Sequence, residues 1–398
     1  MGTAHNITFL KALLTDRAFP PIYKTITYNN IELYKNTTSE YGDCSVKLLT
    51  IKDIPDYFKL SISPSNNIKT VKLNTVKNLN GHMINLESFK NFTEYLTRKV
   101  STKRRSNLNR YKNRLETCFN IKYVSYYGEM DKSEYDRLFS FLRKFLERRF
   151  HEKKEKNYEL QYLPEFHTLC YNMIMHKKAN LFVIYNNDTP ISIRINMFTN
   201  HLAYYIISGY DIDYSKFHIG AIDMYKNIEW CFNNSFKIYD LLKGYDYYKK
   251  KWTTDTYLNY LHIVYDSSSI YNHFKAVTLI LKESAKYRFL EKIVPKNFQN
   301  TYKKLKKFIY RYTNTIEPIT EAKVAIKNNV PIENRGTEIN FQKDNNYQFL
   351  KRHVYNFLFL NKENLDSISV YSIVSQPSHF VIQGKLNNQL LIIDTTPG

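Results

Sequence analysis

The sequence predicts a mixed α/β protein, a sheet covered by helices, and three observations carry that reading. Near residue 179 the apolar residues change from a helical spacing to strand-like runs. ANLFVIYNNDTPISIRINMFTNHLAYYIISGYD then reads as three strands joined by the tight turns Asn186-Asn187-Asp188 and Thr199-Asn200, where residues tolerant of positive φ cluster. Beyond it the order is loop, helix, strand, helix, strand, which implies a mixed sheet with helices packed on it. The third strand, His201 to Tyr210, is expected to be the longest and central.

Composition agrees with a globular chain. Of 398 residues, 43% are hydrophobic and 24% charged, with 10 Gly and 11 Pro, which excludes a collagenous or largely disordered protein. The length predicts at least two folding units. The 35 Tyr and 25 Phe rise together with Lys, Asn and Ile, as an AT-rich genome would produce, so aromatic abundance by itself carries no functional weight. The formal net charge of +21 points instead to an anionic partner: polyphosphate, nucleic acid or membrane surface.

Cys44, Cys118, Cys170 and Cys231 are far apart and form no zinc-binding spacing, so no metal is expected. Cys170 and Cys231 lie in apolar helical contexts, where a thiol acts as a small core residue. That usage fits a reducing, cytoplasmic setting. The first residues lack a basic region followed by a sustained apolar one, and no stretch reaches 18 apolar residues. Asn6 stands where a myristoylation signal needs Ser or Thr. Neither export nor a membrane span is expected.

Along the chain, residues 1–85 mix extended runs such as SVKLLTI (45–51) and IKTVKLNTV (68–76) with turn residues, predicting a small N-terminal α/β unit. Residues 86–290 are expected to form the main domain. It opens with a helical segment through FKNFTEYL and the basic TKRRSNLNRYKNRLE, followed by a strand at 119–128. Asp131 with Glu134 starts a helix to about Arg149, and Pro164 opens another. After the three strands and the loop DIDYSKFH come the helix IGAIDMYKNIEWCFNN, the strand KIYDLLKG, the strand TYLNYLHIVYD and a long helix from Asn272. Residues 291–342 read as a basic helix (PKNFQNTYKKLKKFIYRY) and a linker, and 343–398 as a small α/β appendage with a helix near 345–361. There is no internal repeat.

Acyl transfer from a thioester needs a cradle for carrier phosphates, a slot that orients the thioester, a deprotonated amine and an acid for the leaving thiolate. The loop Tyr214 to Ala221 opens a helix straight after the central strand, so free amides and the positive helix end would face a ligand at that strand's tip, with Gly220 permitting close approach. An ordinary helix start has the same look.

The run SGYDIDYSKFHIGAIDMYKNIEWCFNNSFKIYDLLKGYDYYKKKW resembles the GNAT acetyltransferases of the CelD/BcsL type, associated with cellulose and other polysaccharide synthesis and related in fold to the FemAB peptidyltransferases. Tyr210 and Asp211 match that family's Tyr-Asp pair, Gly220 its glycine-started helix, and Asp240 its strand-ending acid. Gly244, Asp246, Tyr248, Lys249 and Trp252 match its Gly-x-acid-x-Tyr-Lys-x-x-Trp block. The likeness covers about 86–265; Ile219-Gly220, with His218 ahead, stands where relatives commonly carry Pro-Gly.

The resemblance implies a GNAT-like sheet, acetyl-CoA or another acyl-CoA as donor, and an amine acceptor that is a small molecule or a polymer. The carrier phosphates would lie near Lys216, His218, Ile219, Gly220 and Ala221. The acceptor would lie near Tyr210, Asp211, Gly244, Asp246 and Trp252.

Asp240 then acts as, or hydrogen-bonds to, the base, or is simply tied to nearby amides. Lys249 pairs with phosphate or an acceptor carboxylate, or is one of three solvated lysines. Tyr248 is a candidate acid for the thiolate. Trp252 and Tyr248 are otherwise core anchors, and Asp211 a turn former. The segment Arg98 to Arg114 carries eight Lys and Arg until Glu116 and is either a solvated face or a contact for carrier, tRNA or membrane. Two other readings remain: a FemAB-like transferase using aminoacyl-tRNA, and a non-enzymatic basic protein that binds nucleic acid or a membrane surface.

Overall fold

The computed structural model describes residues 5–15, 19–20, 22–36, 48–62, 70–153, 159–244, 247–293, 323–331, 335–374 and 376–394. Seventeen strands appear among them. Those of the N-terminal region are β1 (His5–Thr8), β2 (Tyr23–Tyr28), β3 (Ile31–Lys35), β4 (Leu48–Pro55), β5 (Lys59–Ile62) and β6 (Val71–Asn85). The middle of the chain supplies β7 (Ile121–Tyr126), β8 (Ala179–Asn186), β9 (Thr189–Thr199), β10 (Leu202–Tyr210), β11 (Ile238–Lys243) and β12 (Asp255–Asp266).

Nine of these form one mixed sheet in the order β1-β4-β12-β6-β11-β10-β9-β8-β7. The strands β8, β9 and β10 form where expected, and Asn187 (φ +50°) and Asn200 (φ +49°) take the left-handed turn positions. The expectation for the third strand is corrected: β9 has eleven residues against nine for β10, and β11 occupies the middle of the sheet. β9 is longer because it pairs along its length with both β8 and β10.

The first 85 residues divide between two sheets. β2, β3 and β5 make a small antiparallel sheet of their own, while β1, β4 and β6 enter the large one. β6 is fifteen residues long and pairs with β11 on one side and β12 on the other.

Helices cover both faces, each of which carries buried apolar residues, although β9 meets α6 through a buried polar network. α1 (Phe9–Leu14), α4 (Lys132–Lys153) and α5 (Leu163–Met175) bury Leu13, Leu142 and Ile174 against Ile193, Ile195 and Met197 of β9. The alternate residues of β9 face α6 (Ile219–Asn233), whose Asp223 and Asn227 meet Arg194 and Asn196. On that same side, α2 (Phe92–Lys99) and α3 (Thr102–Cys118) are two helices separated at Val100-Ser101 rather than one segment. α7 (Tyr247–Lys250) and α8 (Ile270–Ile293) complete the middle of the chain.

A second sheet, in the order β13-β17-β16-β15-β14, contains β13 (Lys323–Asn328), β14 (Arg335–Glu338), β15 (Ser369–Ile373), β16 (Gln376–Gln383) and β17 (Asn388–Asp394). β13 and β14 fall inside the stretch expected to be a linker. The expected helix PKNFQNTYKKLKKFIYRY lies outside the described residues. A helix at Lys351–Asn361 packs this unit onto the main domain, burying Tyr355, Phe357 and Leu358 with Phe119, Tyr214 and Phe217.

Candidate active site

β10 and β11 run parallel and pair at only three positions: Leu202 with Ile238, Ala203 with Tyr239, and Tyr204 with Asp240. After that the strands part. β10 bulges between Tyr205 and Ile207, and the β11–β6 register shifts between Asp240 and Lys243, where Leu242 adopts φ +64°. Bulges strengthen local twist, so the two parallel strands turn away from each other at this point.

Asp240 sits at the root of that divergence and is fully buried. The Tyr57 hydroxyl donates to its Oδ2 at 2.7 Å, the Tyr257 hydroxyl lies 2.8 Å from both oxygens, and the Leu242 amide donates to Oδ1 at 2.7 Å. Burial raises its pKa to about 6, against the opposing effect of these donors and of the Lys249 charge. The carboxylate therefore pins the left-handed turn at Leu242 as well as holding two phenols. Gly81 of β6 makes this possible: a Cβ there would collide with the Tyr257 ring.

Lys249 is 6% exposed, unusual for a lysine, and donates to the Lys243 carbonyl at 3.2 Å, with its ammonium 5.8 Å from the Tyr205 ring centre. Tyr248 beside it is 39% exposed and Trp252 only 2%. The Trp252 ring stacks under the Arg104 guanidinium at 4.2 Å, and its carbonyl accepts from the Tyr95 hydroxyl at 2.6 Å. Gly244 takes φ +145°, a conformation that favours glycine, and its carbonyl lies 3.0 Å from His82 Nε2. Asp246 lies outside the described residues.

At the far end of β10 the chain makes a short 3-10 turn, Ile212–Phe217, and enters α6 through His218 in the left-handed region (φ +54°). The His218 carbonyl accepts from the Ala221 amide at 2.8 Å, so the amides of the expected cradle that can face a ligand are those of Ile219 and Gly220. Gly220 packs against the Tyr210 ring, 3.1 Å from where its Cβ would sit.

Lys216 is exposed, and His218 reaches solvent while its ring is partly covered. Burial first, and then the charges of Arg110, Lys216 and Lys251, push the His218 imidazole below its usual pKa. Its ring stacks on Tyr111 of α3 at 4.0 Å. Arg149 of α4 lies 4.9 Å over the Tyr210 ring. The start of α6 thus gathers cations from α3, α4, the 3-10 turn and the turn after α7.

Asp211 is engaged elsewhere. It accepts from Arg148 at 3.1 Å and from Lys351 at 3.1 Å, and caps the 3-10 turn through the Asp213 amide at 3.0 Å. Of the residues expected from sequence, Asp240, Gly244 and Lys249 gather at one end of the divergence, and Tyr210, Lys216, His218, Ile219, Gly220 and Ala221 at the other. Arg110 belongs to the basic run 98–114 that the sequence offers as a carrier contact, whereas Tyr57, Tyr257 and Arg149 have no such signal and arrive from positions far away in the chain.

Among the described residues no group of three or more His, Cys, Asp or Glu is placed to hold a metal ion, and no helix is long and apolar enough to cross a membrane.

No curated protein matches the chain. Similar solved structures include the C-terminal DUF2156 domain of a putative lysylphosphatidylglycerol synthetase from Agrobacterium fabrum (10% identity, TM-score 0.38, covering 58% of this chain and 70% of that one). Others are L-PGS from Bacillus licheniformis (12%, 0.35, 58% and 72%) and FemX (12%, 0.39, 57% and 74%). The stretch that carries the diverging parallel pair, the helix after it and Lys249, residues 102–250, matches the family model of the acetyltransferase (GNAT) domain.

Proposed function

We propose that this protein is an N-acyltransferase that moves an acyl group from acyl-CoA to an amine acceptor. The observation that carries the reading is the parallel pair that separates after Tyr204 and Asp240, with a cation-ringed helix start at the tip of the longer strand. Along Tyr205–Tyr210, β10 has no pairing with β11, which leaves a strand edge for an extended pantetheine-like chain and its thioester. The phosphates at the other end of the carrier would meet the Ile219 and Gly220 amides and the charges of Arg110, Lys216 and Lys251.

In this reading Lys249 faces the acceptor or the developing charge on the thioester oxygen. Asp240 is a positioning residue. Its oxygens are occupied by Tyr57, Tyr257 and the Leu242 amide, and it holds the end of β11 and the Lys249 ammonium in place. Polysaccharide or cell-envelope amines are acceptors consistent with the family resemblance.

A second reading has one observation in its favour: Arg110 of the basic helix α3 stands beside the same helix start, where an aminoacyl-tRNA could also place phosphate. Mass-spectrometric screening of acetyl-CoA turnover against pooled amines, paired with thermal shifts, separates the two. Stabilisation by CoA and a turnover that falls by about a hundredfold in Lys249→Ala, with folding unchanged, is the expected result. Indifference to CoA together with salt-sensitive tRNA binding would transfer the site to the second reading.

A further inference from the structure

The helix α8 lies on β6 and β12 and buries Ala276, with Leu279 and Ile280 partly covered against Val76, Leu261 and Ile263. Its opposite side is apolar as well. Ile270 is 87% exposed, Phe274 71% and Leu281 65%, and their spacings of four and seven place them on one stripe. Tyr271 and Phe289 are exposed beside it, at 60% and 56%. A helix buried on one side is expected to be polar on the other, and this one presents large apolar groups to solvent from Ile270 to Phe289, about 30 Å of helix.

The charge around the stripe is positive. Lys282 and Arg288 are exposed, Lys275 lies 4.3 Å over the Tyr271 ring, and Lys286 pairs with Glu283 at 3.3 Å. In the sequence that follows, Val294 to Ile316 adds Lys296, Lys303, Lys304, Lys306, Lys307 and Arg311 without an acidic residue.

We propose that the outward face of α8 is a docking surface for a lipid bilayer bearing anionic headgroups, on which the helix lies in the plane of the interface. Two requirements select this partner. Nucleic acid would satisfy the cations but offers no apolar phase for Phe274 and Leu281. A second copy of the chain would offer an apolar face but brings another net charge of +21 against the first. An anionic bilayer supplies both an apolar phase and negative charge. The proposed surface is the α8 face alone, and it stands apart from the acyl-transfer reading, so either can fail without the other.

The test is co-sedimentation of the full chain with vesicles of mixed phosphatidylglycerol and phosphatidylcholine, and with phosphatidylcholine alone. The expected result is binding to the anionic vesicles, weaker binding to the neutral ones, and at least a tenfold weaker partition for the double variant Phe274→Glu/Leu281→Glu. Both side chains are mostly exposed, so the circular dichroism spectrum and thermal midpoint should stay those of the parent.

The variant Lys282→Glu/Arg288→Glu should reduce the preference for anionic vesicles. Absence of parent binding, equal binding to both vesicle types, or undiminished binding by the Phe274/Leu281 variant would each overturn the proposal. So would a dimer in analytical ultracentrifugation that this variant dissolves, since the face would then belong to a second copy.

Discussion

The Tyr57 hydroxyl lies 2.7 Å from Asp240 Oδ2, so a residue from the turn between β4 and β5 closes over an acid that sits within β11 (Ile238–Lys243), not at its end as the sequence predicts. The link joins the N-terminal strands to the candidate active site through a buried carboxylate, and its energetics can be measured.

Asp240 should make the protein less stable as pH rises from about 4 to about 6. Its native pKa is raised from 3.8 to about 6 by burial, so in that interval the native state keeps a proton that the unfolded chain releases. The contribution is fully present below pH 4, is lost as pH climbs through the native value, and is flat above it. Its size is on the order of 3 kcal/mol. Urea unfolding of the parent and of Asp240→Asn at half-unit pH steps should show that slope in the parent only; parallel profiles would refute it.

Arg194 and Asp223 form an ion pair between β9 and α6 in which both side chains are almost fully buried. Asp223→Ala strands the guanidinium and should lower unfolding free energy by about 3–5 kcal/mol, whereas Arg194→Met/Asp223→Leu should recover most of that loss. Urea midpoints of the three proteins decide the matter. A double variant as weak as the single one would mean that the surrounding Asn196, Asn227 and Tyr239 network, rather than the stranded charge, dominates.

Lys351 carries the C-terminal unit's charge into the pair Asp211 and Asp213, which Arg148 also engages at 2.6 to 3.1 Å. Lys351→Ala should cost about 1.5–3 kcal/mol, the range for a hydrogen bond to a charged group, and should speed proteolytic release of the C-terminal sheet. Lys351→Arg should restore both. Unchanged cleavage in the alanine variant would show that the Tyr355 and Phe357 packing holds the unit without this contact.

The legible parts of the fold were those with local causes. Asn187 and Asn200 announced their turns, Asp131 its helix start through its bonds to the Ser133 and Glu134 amides, and the apolar run before Asp240 its strand. The extended run at 68–76 announces the first part of β6, but not its length or its place in the large sheet, because its Lys and Asn residues look like a surface strand and its register is set by β11 and β12, more than 150 residues away. β13 and β14 were missed since both are edge strands, and β14 is largely exposed, so neither carries a clear buried stripe. In the site, the block from Gly244 to Trp252 was legible only through the resemblance to the family's pattern. Nothing in the local sequence could tell that Lys249 would be buried and Tyr248 exposed, or that Tyr57 and Tyr257 would meet at Asp240.

The placement of β6 has a practical corollary for anyone dissecting this protein. The stretch that matches the acetyltransferase model begins after β6 and stops before β12, yet β11 has β6 as its neighbour on the side away from β10. Excising residues 102–250 would leave a raw β11 border and an unsupported Asp240, an invitation to edge-to-edge aggregation. Any minimal catalytic fragment must therefore keep both flanking strands, and a failure of the shorter piece to behave in solution would say nothing about whether it encodes an enzyme.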